Sequence, residues 1–362
     1  MRLAILGLGN ISGQYLAQLP ALRNLELVAV ADLRPDVAQA VADRQGVRAL
    51  TPEQLVADPQ VEVVLNLTTP AAHAPTTIEL LRAGKHVYQE KPFALTPDEA
   101  TAMLSAAREA GTRLGVAPDT VLGTGVQTAR AIIDAGEIGR PVSAIAAFGC
   151  PGHEAWHPNP AFYYAAGGGP MLDMGVYYLT ALVTMLGPIE AVVGMASRTR
   201  GQRVVPDNAP REGETIQVEV DTHVQARLRH ANGALTTVIT SFDMTASTLP
   251  HLEVHGEEGS LQVPDPNGFG GSPRLFTHPS TGWVEVADRA GFVDAGRGYG
   301  ASDLVSAIEH GREPRQGADL GRHVFEVMDS ILASAHSDRV VSIQSSCERP
   351  AAVPLGSMPF DS

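Results

Sequence analysis

Glu90-Lys91-Pro92 is the tripeptide of this chain with the clearest chemical use. A lysine amine can take up or release a proton when a hydride moves, provided that its side chain is held in place. Proline fixes its own φ and pushes the residue before it out of the helical region. Lys91 is therefore expected to be extended. A cationic ring beside it would lower its pKa, and Glu90 would oppose that shift. Spacing alone leaves two readings open, a catalytic amine and an exposed lysine in a surface loop.

A glycine turn near the chain start would hold such a ring. Gly7-Leu8-Gly9-Asn10-Ile11-Ser12 follows the short apolar run Leu3 to Leu6. Gly7 suits a tight turn, and Gly9 would let the backbone approach a pyrophosphate at a helix N-terminus. Asn10 and Ile11 are expected beside the same cofactor. Ser12 stands where a third glycine or alanine is usual, and it is small enough for close helix–strand packing. Asp32 lies about 20 residues beyond the glycines, where an acid hydrogen-bonds a ribose 2′-hydroxyl. Its charge would repel a 2′-phosphate, which favours NAD. Arg34 could receive that phosphate and keeps NADP as the alternative. The plainer reading is that Asp32 only opens the next turn.

Asn66-Leu67-Thr68-Thr69-Pro70 sits at the carboxyl end of a strand, where open parallel sheets bind ligands. Thr68, Thr69, Pro70 and His73 are expected at the cofactor with Glu90 and Lys91. His73 is read as fixing the turn rather than as a catalyst.

Gly167 to Tyr178 is the other dense stretch. Its three glycines allow a close-packed turn. Asp173 and Tyr177 stand four apart, so on a helix they share one face. That face could offer a carboxylate and a phenol to one ligand, or could be a capped helix with a core tyrosine. Upstream, His153, Glu154, Trp156, His157 and Asn159 could line a sugar site. No cysteine–histidine spacing accompanies them, so no metal is expected. His157 is a candidate base, because imidazole titrates near neutrality.

The elements between these motifs fall into two rhythms. Strands at Leu3–Leu6, Leu25–Ala31, Val61–Leu67, His86–Tyr88 and Arg113–Val116 alternate with helices, which implies an α/β, doubly wound parallel sheet. Thr96 caps a helix with proline and acids in its first turn. Beyond residue 120 a helix (125–135) leads into strands with period-two alternation, Thr215–Leu228 and Ala234–Thr240, joined by a turn at 230–233. These imply an α+β domain with an antiparallel sheet. Residues 264–300 read as surface loops, 302–311 and 321–336 as closing helices, and the end from Ser345 as poorly ordered. The expected domains are 1–120, which would hold the nucleotide, and 121–345, with a tail at 346–362. The last helices are expected to return to the first domain.

With 362 residues, two domains are natural. The balance of 44% hydrophobic and 18% charged residues is that of a soluble globular protein. A net charge of −14 argues against a nucleic-acid partner, although backbone amides can still hold phosphate. No apolar run is long enough to span a membrane. Two distant cysteines, Cys150 and Cys347, suit reduced thiols and a cytoplasmic location.

Taken together, these stretches resemble the glucose–fructose oxidoreductase / inositol dehydrogenase (Gfo/Idh/MocA) family of nicotinamide-dependent dehydrogenases. The resemblance covers nearly the whole chain. It rests on Gly7-Leu8-Gly9-Asn10, Thr69-Pro70-x-x-His73, Ala83-Gly84-Lys85-His86-Val87 running into Glu90-Lys91-Pro92, and Gly167 to Tyr178. It implies a Rossmann domain, then a large, open, mostly antiparallel sheet that is often an oligomer interface in dimers or tetramers. It implies a substrate over the nicotinamide, between the domains. By resemblance Lys91 is the active-site lysine and Asp173 the family's aspartate. Many members carry a histidine as base four residues on, and this chain has Tyr177, as some members do. The implied activity is oxidation of a secondary hydroxyl of a sugar, polyol or cyclic alcohol. The hydride goes to nicotinamide C4 and the proton to Tyr177 helped by Lys91. Trp156, His157, Asp173, Tyr177 and Lys91 are the implied substrate contacts. Two other readings are a glycoside-cleaving enzyme using transient oxidation by bound NAD, and a non-catalytic NAD-binding regulator.

Overall fold

The computed structural model describes residues 1–279 and 282–361. The chain forms two compact units. The first is built from Met1–Thr124, Ala290–Arg322 and the chain from Pro350 onward; the second comprises Gly125–Arg289 and His323–Arg349.

Six strands make the sheet of the first unit: β1 (Arg2–Leu6), β2 (Glu26–Ala31), β3 (Arg48–Leu50), β4 (Val63–Asn66), β5 (His86–Gln89) and β6 (Leu114–Val116). They lie in the order β3-β2-β1-β4-β5-β6 and every pairing is parallel. Leu3, Ile5, Val63 and Leu65 are fully buried, as strands covered on both faces require. Chain order reverses between β1 and β4, and the carboxyl ends of those strands are where such a sheet opens a crevice. The Thr96 cap is present, its Oγ1 accepting from the Glu99 amide (3.2 Å) at the head of helix Pro97–Ala110. Strand β3 and helix Pro52–Ala57 were not expected. Three residues carry no readable period, and the helix is only six residues long, started by the Thr51–Gln54 capping box.

The second unit is organised by strands β7 (Pro141–Gly149), β8 (Ile189–Ser197), β9 (Gln202–Val204), β10 (Thr215–Gln217), β11 (His223–His230), β12 (Leu235–Ser241), β13 (Leu252–Gly256), β14 (Gly259–Val263), β15 (Arg274–Thr277), β16 (Val284–Glu285) and β17 (Val341–Ser342). Among the described residues its large sheet runs β16-β15-β14-β13-β7-β12-β11-β8-β17, and β9 pairs with β10 separately. Only the β7–β12 pairing in this sheet is parallel.

Three expectations change. The strand read as continuous over Thr215–Leu228 is two, β10 and β11. Between them the Val218 amide donates to the Gly201 carbonyl (3.0 Å) and the Glu219 amide to that of Tyr164 (2.8 Å), which takes the chain out of the ladder. Buried and exposed residues alternate on both sides of the break, so the pattern cannot show it. Residues 264–300 are not all loop, since β15 and β16 form one edge of the large sheet. Ser280 and Thr281 of that stretch lie outside the described residues. The end expected to be poorly ordered is packed: Val353 is fully buried and its carbonyl accepts the Gly291 amide (2.8 Å).

Gly194 of β8 lies directly under helix Ala318–Ser337. Its N–H donates to Ser334 Oγ (2.9 Å), and a Cβ there would press on the Ile331 carbonyl oxygen. Backbone cannot move aside as a flexible side chain can. Gly194→Ala is therefore expected to lower stability by about 1–3 kcal/mol, the usual cost of overpacking, seen as a lower midpoint in thermal or urea unfolding.

Candidate active site

In the first unit the site begins where β1 ends. Gly7 has φ +92°, and a Cβ there would stand 2.7 Å from the Leu67 carbonyl carbon and oxygen. Glycine is required at this point by both conformation and space. Gly9 differs, because a Cβ there would meet nothing within 4 Å. The protein's own packing does not demand a glycine here; close approach of a pyrophosphate to the backbone would. Ser12 closes the turn with its hydroxyl on the Gly9 carbonyl (2.7 Å). Asn10 and Ile11 lie in the turn that leads into helix Ser12–Gln18.

Asp32, past the end of β2, faces this turn. Its Oδ2 accepts the Leu8 amide (2.8 Å) and its Oδ1 the Arg34 amide (3.0 Å), with Arg34 Nε at 3.4 Å. Burial pushes its pKa up, but the Arg34 and Leu8 N–H groups and the Arg34 guanidinium outweigh that, and the net direction is down. The result is an ionised, acceptor-only group beside the glycine turn, with lone pairs left for hydroxyl donors. Together the open space at Gly9 and this carboxylate fit a dinucleotide.

The loops after β4 and β5 are braced from below by buried amides and an imidazole. Asn66 Oδ1 accepts the Thr68 hydroxyl (2.6 Å) and amide (3.2 Å), and its Nδ2 donates to Thr77 Oγ1 (3.0 Å). Thr77 donates in turn to Gln89 Oε1 (2.7 Å). His73 is buried between the carbonyls of Thr68 and Pro92, with a ring nitrogen 3.0 Å from each. Burial holds its pKa below the ordinary value although both carbonyls pull upward, so the neutral ring donates to one carbonyl at a time. It ties the Thr68-Thr69-Pro70 turn to the Lys91-Pro92 turn, as a brace would.

Glu90 joins the helix after the glycine turn to the Lys91 backbone. Its Oε1 accepts the Tyr15 hydroxyl (2.8 Å) and its Oε2 the Lys91 amide (3.0 Å). Burial first, then Glu90 and Asp119, push the Tyr15 phenol well up, so it stays a donor. Lys91 is partly buried, and its bond to Pro92 is cis. Asp119, fully buried past β6, was not anticipated. It accepts the amides of Gly298 (2.9 Å) and Gly300 (3.2 Å) and lies 3.3 Å from Arg297 Nη1. No periodicity marks an acid whose partners lie 178 or more residues along the chain.

In the second unit a cluster that holds several of the candidate residues is organised around Arg203 in β9. Its buried guanidinium donates from Nη1 to Glu154 Oε1 (2.6 Å) and the Pro151 carbonyl (2.8 Å). From Nη2 it donates to the Phe242 carbonyl (2.6 Å) and the Asp243 carboxylate. Tyr164 donates its hydroxyl to the other Glu154 oxygen and accepts the His153 amide (3.1 Å). Gly152, at φ +115°, leaves no room for a side chain beside this cluster. Glu154, expected to face a sugar, is thus engaged by the clamp.

The clamped loop carries His153, Trp156 and His157. His153 Nε2 lies 3.3 Å from Asp173 Oδ2. The pair is at ion-pair range but not aligned as a hydrogen bond, and neither nitrogen of this buried ring has a hydrogen-bond partner among the described residues. Its ring packs on Tyr163 (4.1 Å between centroids), Phe242 (4.6 Å) and Trp156 (5.4 Å). His157 Nδ1 accepts the Asn159 amide (3.0 Å). A neutral ring so bonded carries its proton on Nε2, so it offers a donor and not a base. Burial lowers its pKa, His153 adds to that, and the Asn159 bond and Asp173 oppose it. Trp156 is 55% exposed.

Asp173 sits in a π-helical turn, Met171–Gly175, and Tyr177 in helix Val176–Leu186. Gly167 and Gly169 have positive φ, and a Cβ on Gly168 would meet the Tyr163 carbonyl oxygen at 2.5 Å. The triple glycine therefore packs the chain tightly before Asp173, whose amide donates to the Gly169 carbonyl (3.0 Å). Missed in the sequence were Arg203, Asp243 and Tyr164, and the pairing of His153 with Asp173.

A parallel sheet reversing at β1, a glycine turn open at Gly9 and an acid past β2 define a dinucleotide-binding fold, followed here by an open mixed sheet. The chain belongs to the GFO/IDH/MocA oxidoreductase family: residues 1–117 match its NAD-binding Rossmann-fold domain and residues 126–262 its C-terminal domain. It is 31% identical over 267 residues to 1,5-anhydro-D-fructose reductase of Ensifer adhaerens, covering 72% of this chain and 74% of that protein. It is 31% identical over 194 residues to D-glucoside 3-dehydrogenase of Escherichia coli K12, covering 52% and 54%. Among solved structures, an NAD-binding oxidoreductase from Klebsiella pneumoniae matches with a TM-score of 0.76 and 26% identity, over 96% of this chain and 100% of that one. No described helix is long and apolar enough to cross a membrane.

Two measurements follow from this geometry. Asp32→Ala is expected to weaken NADH binding roughly 10- to 100-fold, the loss of a hydrogen bond to a charged group, read by fluorescence titration. Because the folded pKa of Asp32 is lowered, its contribution to stability is present above the unfolded value near 4 and is lost as pH falls through the folded value. Its share of NADH affinity should then be level from about pH 8 to pH 5. Arg203→Met leaves Glu154 and Asp243 without their cation and is expected to cost about 3–5 kcal/mol, measured by urea unfolding.

Proposed function

We propose that this protein is an NAD-dependent dehydrogenase that oxidises a secondary hydroxyl of a pyranose sugar, glycoside or related cyclic polyol. The observation that carries this reading is the ionised Asp32 beside an open Gly9. Support for the substrate class comes from the relatives, one named for an anhydro-sugar ketone and one for a glucoside. NAD, when bound, supplies the hydride acceptor at nicotinamide C4.

The chain's own groups have the remaining work. Asp32 hydrogen-bonds the adenosine ribose and disfavours a 2′-phosphate, which selects NAD over NADP. Lys91 and Tyr177 handle the hydroxyl proton; the positive amine favours the tyrosine's phenolate form, and the phenolate oxygen takes the hydroxyl proton as the carbonyl forms, returning to phenol. Asp173 accepts a hydrogen bond from a neighbouring sugar hydroxyl. His157, with its proton on Nε2, donates to a substrate oxygen. Trp156, an exposed indole on a clamped loop, offers an apolar face to the C–H side of a sugar ring.

The test is a screen of aldoses, anhydro-sugars, glycosides and inositols with NAD and NADP in parallel, followed at 340 nm. At least one pyranose or cyclitol should give NADH, faster than NADPH. On that substrate Lys91→Met and Tyr177→Phe should each lower kcat about 100-fold or more, the scale of general acid–base catalysis. Near-normal turnover by both variants would refute the assignment.

A further inference from the structure

His153 stands out among the buried groups. Its side chain is nine-tenths buried, yet neither ring nitrogen has a hydrogen-bond partner among the described residues. Such orphan groups are rare, and leaving one costs about 1–3 kcal/mol. The ring is fixed all the same. Tyr163 and Phe242 pack on it from two other elements, the turn Pro160–Tyr163 and the residue after β12, and Trp156 packs on it from its own loop. Its backbone is held by the Tyr164 hydroxyl within the Arg203 clamp. The ring so held has Nε2 3.3 Å from Asp173 Oδ2, within hydrogen-bond distance of that carboxylate.

We propose that His153 is a positioning residue for Asp173, its Nε2–H setting the direction in which that carboxylate faces a substrate hydroxyl. This rests on the reading of Asp173 as a substrate contact. The ionisable groups facing His153 are Asp173 from the π-helical turn, His157 from its own loop and the Tyr163 phenol; Glu154, next in sequence, is held by Arg203. His157 does not compete for the role, since Asn159 occupies its Nδ1. No proton leaves His153 in this scheme; it orients and does not turn over.

His153→Phe keeps an aromatic ring in the cage and removes both nitrogens. On the substrate found by the screen, its kcat should fall roughly 10- to 100-fold, the size of a misplaced contact group. NADH affinity should stay near wild type, and the unfolding midpoint should not fall, since the buried nitrogens removed have no partner to lose. The double variant His153→Phe with Asp173→Asn should be no slower than Asp173→Asn alone, because the two act as one unit. Wild-type kcat in His153→Phe, or multiplying effects in the double variant, would overturn the proposal. A second measurement needs no substrate. In ¹⁵N-histidine-labelled protein at fixed pH, the His153 Nε2 resonance, assigned through His153→Phe, should move on Asp173→Asn. An unmoved signal would break the pair itself. If the pair is seen but no sugar is oxidised by the wild type, it is the dehydrogenase reading that fails.

Discussion

A buried guanidinium has to be met by anions and carbonyls, and in the second unit that requirement falls on Arg203. Its partners come from two places: Pro151 and Glu154 in one loop, and the Phe242 carbonyl and Asp243 carboxylate just after β12. Thr222, before β11, adds its hydroxyl to the second Asp243 oxygen (2.5 Å). An ion pair buried like this is costly to break and not strongly stabilising in itself, so its effect is to select one arrangement of the chain. That arrangement puts a loop rich in aromatic and imidazole groups in a fixed position. Without it, the segment before the triple glycine would be an ordinary surface connection, and His153 would have no reason to meet Asp173.

The first unit solves a similar problem with neutral groups. Loops at the carboxyl edge of a parallel sheet have no ladder of their own. Asn66, Thr77, Gln89 and His73 supply the missing hydrogen bonds from beneath, and Glu90 joins the Lys91 backbone to Tyr15. Asp32 does double duty, because the carboxylate suited to a ribose also receives the Leu8 amide within the glycine turn. Binding and turn geometry therefore depend on one side chain. Asp32, Lys91 and His157 are thus carried on segments fixed by side-chain hydrogen bonds, whereas Asp173 and Tyr177 ride on a π-helical turn and the helix that continues it.

What could be read in the sequence follows from this. Buried strands, the Thr96 cap and the glycine turn declare themselves through local pattern, because their causes lie within a few residues. Gly7, Asp32 and His73 could be placed by spacing for the same reason. Arg203, Asp243 and Asp119 could not, since each acts on partners far along the chain and no period marks them. His157, read as a second candidate base, has its Nδ1 lone pair taken by the Asn159 amide, a contact that the sequence does not mark. The break between β10 and β11 was hidden because alternation continues across it. The bond from Tyr15 to Glu90 joins residues 75 apart in the chain, and no local pattern announces it.

The central claim is that a ring carbon of a cyclic alcohol gives its hydrogen to NAD on this protein. The most direct measurement uses the active sugar from the screen, deuterated at its ring carbons, with mass spectrometry of the reduced cofactor. One deuterium at nicotinamide C4 is the predicted result. Reduced cofactor without deuterium, or product formed with the label retained on the sugar and no reduced cofactor, would contradict the account.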